Sequence, residues 1–375
     1  MNPPDASAYP HSPFCDGKST APILSRRAAL RGAGAMVLAG AAGCAQVASA
    51  GTGGRPPAGW LLGRPFLEYP TLPYALGGSR LACTVIREGR RGAFQELVDD
   101  TLNAATRKGR FALSPMFPGL GMMGVFHFDR VQSLAPGSWG YMRYYEAALS
   151  LILVDRSSSS TRARGSLYIF NPVMMLDDFY TLIAGREIYG FPKMLGKFNA
   201  SGLPEDGHAA AHPLRRVEAE VSVQGFTANS PDESVGWRDA LKLTVVPRGL
   251  PFRPPSGQSV GDFLGGLSLA APGPDRSLTQ AFLGGSIKGV FLKQFPSCGN
   301  VSKTCYRSVT KAPYGIKSLK QIRFGQGSVT FHNPASYPLA TALGYEPDAS
   351  GKSPEIKGFG FVADADWELG GGNEA

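Results

Sequence analysis

The stretch GREIYGFPKML, Gly185–Leu195, decides how the rest of the chain is read, and within it Lys193 carries the chemistry. Upstream, Asp177 and Asp178 offer a cap for a short helix whose apolar positions Phe179, Leu182, Ile183 and Ile188 fall near helical spacing. Gly190 and Pro192 end that helix. A proline disfavours helical backbone in the residue before it, so Lys193 is delivered into extended chain among Ile188, Tyr189, Phe191, Met194 and Leu195. Taking an ammonium out of water disfavours its charge, by up to ~3–5 pKa units at full burial, and so exposes a free amine near neutral pH. A free amine attacks ketones and aldehydes. The alternative reading of the same neighbours is a lysine stem lying on an apolar patch with its ammonium in water.

GREIYGFPK, followed by LGKF, resembles the lysine segment of the acetoacetate decarboxylase family, in which the lysine after the proline forms a Schiff base with the substrate ketone. The match puts that role on Lys193. Arg80 in GSRLACTVIRE, Glu146 in YMRYYEAALSLILV, and FLKQFP (Phe291–Pro296) followed by Cys305 and Tyr306 match in the same order, over about residues 74 to 345. The resemblance implies an α+β, mostly β fold: an antiparallel β-barrel or cone with a few packed helices, assembled as a homo-oligomer. It implies a lyase that decarboxylates a β-keto acid, or acts on a related small carbonyl compound, through an imine at Lys193. Glu146 would be a partly buried proton carrier, and Arg80 a pocket guanidinium that pairs with a carboxylate or orients a glutamate. Acetoacetate decarboxylase is itself a known instance of a lysine activated by an apolar pocket or a neighbouring cation. The protonated imine is the electron sink, so neither a metal nor an organic cofactor is called for, and the sequence has no HExxH motif, CxxC pair or convincing phosphate loop.

Two departures from the family pattern matter. Many members carry a second lysine directly after the nucleophile; here Met194 follows, and Lys197, four residues on, reads as a surface residue. A further pocket carboxylate has no counterpart in GLGMMGVFHFD, where His127 and Asp129 fall nearby but a strand histidine reads more simply as structural. Arg186 and Glu187 read as braces of the helix against the barrel. The departures keep two alternatives open: aldolase or dehydratase chemistry on a 2-oxo acid through the same lysine, and a non-catalytic secreted barrel that binds a small apolar acid.

The first fifty residues stand apart. Ser25–Arg27 in SRRAALRG precede a mild apolar segment, Ala33–Ala42, and Ala48–Ala50 form an A-x-A cleavage site, which together read as a twin-arginine export signal over 1–50. A lipoprotein site at Gly43–Cys44 is the competing reading. The segment is shorter than the ~20 apolar residues of a membrane span, so contact with the membrane is expected only during export to the periplasm or beyond. Residues 51–73, rich in glycine and proline, read as a surface arm, and 74–375 as one domain. The leader holds a net +2 of the formal +9, and the remaining charge is diffuse, with no basic helix or aromatic-basic array that would suit nucleic acid. Outside the leader the cysteines are Cys83, Cys298 and Cys305, with no metal-ligand spacing; Cys298 and Cys305 flank a turn-like GNVSKT and read as either a hairpin disulfide or two thiols.

Short β-rich runs bounded by turn residues recur at 81–88, 121–128, 147–154, 166–170, 217–223, 241–246, 290–295 and 327–331, which predicts a mostly antiparallel sheet or barrel. Phe94, Leu97, Val98 and Leu102 predict one helix packed on it over 94–107. No internal repeat appears, and the proline- and glycine-rich 247–274 reads as a long connection rather than a domain boundary.

Overall fold

The computed structural model describes residues 73–105, 112–134, 140–157, 167–204, 213–225, 235–248, 250–251, 288–297, 300–334, 337–371 and 373–374, with side chains described except at 295–297, 300–306, 315–316 and 373–374. The leader, nearly all of the arm, Cys298 and the side chain of Cys305 lie outside these residues. One unit comprises Met1–Glu68 with Pro296–Cys305; the other, Tyr69–Phe295 with Tyr306–Ala375, carries the site. Among the described residues no helix is long and apolar enough to cross a membrane.

The second unit is mostly β. The described strands are β1 (Tyr74–Arg87), β2 (Leu113–Pro115), β3 (Leu120–Ser133), β4 (Met142–Asp155), β5 (Leu167–Leu176), β6 (Lys193–Ser201), β7 (Val217–Gly225), β8 (Gly236–Pro247), β9 (Lys288–Ser297), β10 (Asn300–Phe331), β11 (Ile356–Leu369) and β12 (Asn373–Glu374). They form one sheet in which β4, β3, β1, β11, β10, β8, β7, β6 and β5 pair in turn and β5 returns to β4, so the hydrogen-bonded path closes into a ring and most edges disappear. β9 bridges β5 and β10. Around the ring β5 runs parallel to β6 and the other neighbours pair antiparallel, and β9 runs parallel to β5.

The two walls of the ring differ in sequence for a physical reason. Along β7, Val217, Ala219, Val221 and Val223 are buried while Glu218, Glu220 and Gln224 face outward, which is the alternation of a sheet with one wet face. In β1, β3 and β4 consecutive residues are buried, as at Ala82–Cys83, Val125–His127 and Glu146–Leu149, so both faces are covered and period-2 alternation of polarity is lost. α1 (Ala93–Val98), continued by a π-helical turn over Asp99–Asn103, covers part of this wall with Phe94, Val98 and Leu102, as its spacing predicts. α3 (Leu339–Ala342) adds Leu339 and Ala340.

Parallel strands need a crossover, and α2 (Phe179–Ala184) with the π turn Gly185–Tyr189 provides it between β5 and β6. Asp178 is the cap, accepting from the backbone N–H of Thr181 at 2.6 Å. Asp177 does something else: its carboxylate accepts from the backbone N–H of Tyr145 at 2.8 Å and ties the end of β5 to β4. Phe179 is not on the buried stripe. It is 55% exposed and packs edge-on against the exposed Tyr180, whereas Thr181, Ala184, Gly185 and Tyr189 face inward. Small residues at 184 and 185 let the helix approach β6 closely, and that approach fixes which side turns in. Gly190 ends the turn in left-handed backbone, φ 80°, where a Cβ would also stand 2.4 Å from the Cα of Lys293. Only glycine suits both demands.

Candidate active site

Lys193 opens β6, and its side chain is 5% exposed. Its Nζ lies 3.1 Å from Oε2 of Glu146, 5.1 Å from the ring centre of Phe191 and 5.7 Å from that of Tyr144. Phe191 in turn meets Phe291 edge-on at 4.1 Å, so the ammonium rests on an aromatic shelf with one carboxylate beside it. The stem needs Gly185. A Cβ there would come within 2.6 Å of Cδ and 2.8 Å of Cε of Lys193, so the first glycine of GREIYG is where the helix makes room for the lysine.

Strand register sorts the candidate residues by face. Residues directly opposite one another on neighbouring strands share a face. Leu81 is opposite Phe126, Phe126 opposite Glu146, and Glu146 opposite Leu176. Met174 is opposite Lys193. Lys193, Glu146, Leu176, Phe126 and Leu81 therefore share one side of the wall. Arg80, next to Leu81, points to the other side, in register with His127 and Asp364.

Arg80 is accordingly not brought together with Lys193. It is 1% exposed and pairs bidentately with Asp364, Nε to Oδ1 at 2.7 Å and Nη2 to Oδ2 at 2.9 Å, while Gln321 donates to the same Oδ2 at 2.6 Å. The carboxylate it binds belongs to β11. Methionine at 80 leaves the Asp364 charge buried, which costs about 3–5 kcal/mol, and Asp364→Asn in the same chain restores much of it. Urea unfolding of the single and double variants reads this; equal stability of the two would mean that the pair does not hold the wall.

The other sequence candidates divide likewise. His127 is 1% exposed, on the Arg80 side, with its ring 4.8 Å from that of Tyr145. It lines a cavity of about 290 Å³ with Arg143, Tyr145, Asp177, Phe198 and Asn199. Asp129 is engaged by Arg143 at 3.0 Å. Neither sits beside Lys193. Met194 packs on the opposite face of β6 from Lys193, opposite Met175, so a lysine at 194 would not place its charge alongside the Lys193 amine. Lys197, Arg186 and Glu187 are exposed.

The structure adds residues that the sequence reading passes over. Tyr144, two places before Glu146 on the same face, is buried, and burial together with the Glu146 charge pushes its hydroxyl well above the ordinary tyrosine range. Tyr314 on β10 is pushed up by the same two causes in the same order, so both hydroxyls stay protonated and able to donate. The second strand of this region, β11, is legible after the fact: Phe359, Phe361, Ala363, Ala365, Trp367 and Leu369 alternate with Gly358, Gly360, Asp364, Asp366 and Glu368, and buried Val362 is the one break in the pattern.

This is an acetoacetate decarboxylase-like fold. The structure of acetoacetate decarboxylase from Legionella pneumophila subsp. pneumophila str. Philadelphia 1 superposes with a TM-score of 0.53 at 15% identity, covering 85% of this chain and 93% of that one. The enduracididine biosynthesis enzyme MppR complexed with pyruvate gives 0.49 at 14% identity (82% and 91% covered), and an acetoacetate decarboxylase-like enzyme from Sphingomonas wittichii RW1 gives 0.46 at 15% (81% and 92%). In sequence, residues 92–234, a stretch that holds Glu146 and Lys193, match the family model described as acetoacetate decarboxylase (ADC). No curated protein matches the chain.

Proposed function

We propose that this protein is an enzyme that forms an imine between Lys193 and a small carbonyl compound, with Glu146 as its proton partner and decarboxylation of a β-keto acid as its reaction. The observation that carries the reading is the buried Lys193–Glu146 contact at 3.1 Å on an aromatic shelf, inside the segment that matches the ADC family. In the proposed sequence Glu146 takes a proton from the Lys193 ammonium, the free amine adds to the ketone, and Glu146 gives that proton to the departing hydroxyl, so that water leaves, a protonated imine forms and Glu146 is again a carboxylate. The imine nitrogen draws the electron pair of the breaking carbon–carbon bond as carbon dioxide departs. A proton from water, relayed by Glu146, then goes to the enamine carbon, and a second water releases the product ketone and returns Lys193 to its ammonium form. An anion beside the leaving carboxylate and a sparsely polar wall disfavour the bound keto acid relative to the neutral carbon dioxide it becomes.

The test is borohydride reduction in the presence of acetoacetate, pyruvate and an aldehyde, followed by peptide mass analysis and carbon dioxide measurement. The expected result is a reduced adduct on Lys193 with carbon dioxide from acetoacetate. Adducts on Lys193 without carbon dioxide would point to aldolase or dehydratase chemistry, and no adduct with any carbonyl would leave a binding protein. Export by the twin-arginine route is likewise a proposal, resting on Arg26, Arg27 and Ala48–Ala50, which lie outside the described residues.

A further inference from the structure

We propose that the indole N–H of Trp367, with the hydroxyl of Tyr314, holds the substrate's carboxylate in the Lys193 site. The substrate class rests on the reading above. Two features of the geometry lead here. The guanidinium that the motif assigns to the pocket is turned to the other side of β1 and spent on Asp364, so the carboxylate needs other donors. And the Nε1 of Trp367 is buried with no hydrogen-bond partner among the described residues. An indole N–H has no acceptor capacity and loses its water on burial, so an unmatched one costs about 1–3 kcal/mol unless something binds there.

Trp367 stands on the right face. Ala363 is opposite Leu81, which shares the Glu146 side, and alternation along β11 carries Ala365, Trp367 and Leu369 to that side. Tyr314 is opposite Leu369, and its ring lies 5.4 Å from that of Trp367. The same hydroxyl feels the charge of Glu146, as does that of Tyr144, over whose ring the Lys193 amine sits. Two neutral donors, the Tyr314 hydroxyl and the Trp367 indole beside it, thus stand on the side of the wall that carries the Lys193–Glu146 pair. Neutral donors suit a carboxylate that must leave. A guanidinium would hold the charged ground state as a full ion pair, whereas indole and phenol orient it and surrender it more readily when its charge passes into the enamine.

Protein labelled with ¹⁵N-tryptophan tests this without turnover. The full chain has four tryptophans, so Trp367→Phe, which keeps a ring against Tyr314, identifies the Trp367 indole peak by its loss. Titration with 3-hydroxybutyrate, a carboxylate that cannot form an imine, is expected to move that peak downfield. A peak that stays put at saturating 3-hydroxybutyrate overturns the proposal. In trapping, Trp367→Phe is expected to weaken adduct formation with acetoacetate by about tenfold or more while changing that with acetone less than twofold. Equal losses for both carbonyls would also overturn it; Tyr314→Phe, compared in the same way, serves if Trp367→Phe does not fold. If the indole peak moves but no carbonyl is trapped on wild-type protein, the carboxylate site stands and the imine reading falls.

Discussion

Lys193→Met is expected to reduce borohydride trapping to background and turnover by at least ~10³-fold, because no other amine in the described wall shares the Glu146 carboxylate. The same substitution destabilises the fold. It strands the Glu146 carboxylate, 7% exposed, without its partner, and removing one member of a buried pair costs about 3–5 kcal/mol. Lys193→Met with Glu146→Gln should therefore be more stable than Lys193→Met alone although both are inactive. Glu146→Gln by itself keeps the nucleophile and loses the proton carrier, for a fall of about 10²- to 10⁴-fold. Urea unfolding and trapping on the three variants check these outcomes; trapping that survives in Lys193→Met would move the nucleophile elsewhere.

Gly185→Ala is expected to separate activity from stability. Gly185 lies in ordinary right-handed helical backbone, φ −62° and ψ −43°, where alanine is the better helix former by about 1 kcal/mol. A new Cβ would strike Cδ and Cε of Lys193, the far part of a flexible side chain, and stand 3.1 Å from Cδ2 of the buried Phe191 ring, so the lysine moves, the ring gives by a few tenths of an ångström and the helix stays. A displacement of about 1 Å in a reacting group can cost about 10²-fold in rate. Turnover should fall on that scale while the unfolding midpoint stays level or rises. A large loss of stability, or unchanged turnover, would show that the glycine serves the helix rather than the amine.

The parts of the site lying close in sequence were the parts open to reading. Lys193 follows its helix by a few residues, and Gly190 and Pro192 mark the stop, so local backbone chemistry was enough to predict an extended, apolar setting for the amine. The family resemblance brought Glu146 to the same place, and the 3.1 Å contact agrees. Arg80 shows the limit. A motif names the residue but not its face, and in a wall buried on both sides, as at Ala82–Cys83 and Val125–His127, composition no longer tells which side a residue takes. A shift of one residue reverses every side chain. Met194 meets the same parity rule: adjacent in sequence to Lys193, it is on the other side of β6.

What the sequence determined by itself is the mostly β character, the α2 stop and the extended, apolar setting of Lys193, because each follows from local propensity and from motifs whose residues are neighbours in the chain. The closed order of the strands, the commitment of Arg80 to Asp364, and the placing of Tyr314 and Trp367 on the side of the wall that carries Glu146 were decided only by the tertiary structure. Those contacts join residues well over a hundred positions apart, and their geometry depends on the register of β1, β4, β10 and β11, which no local run of residues encodes.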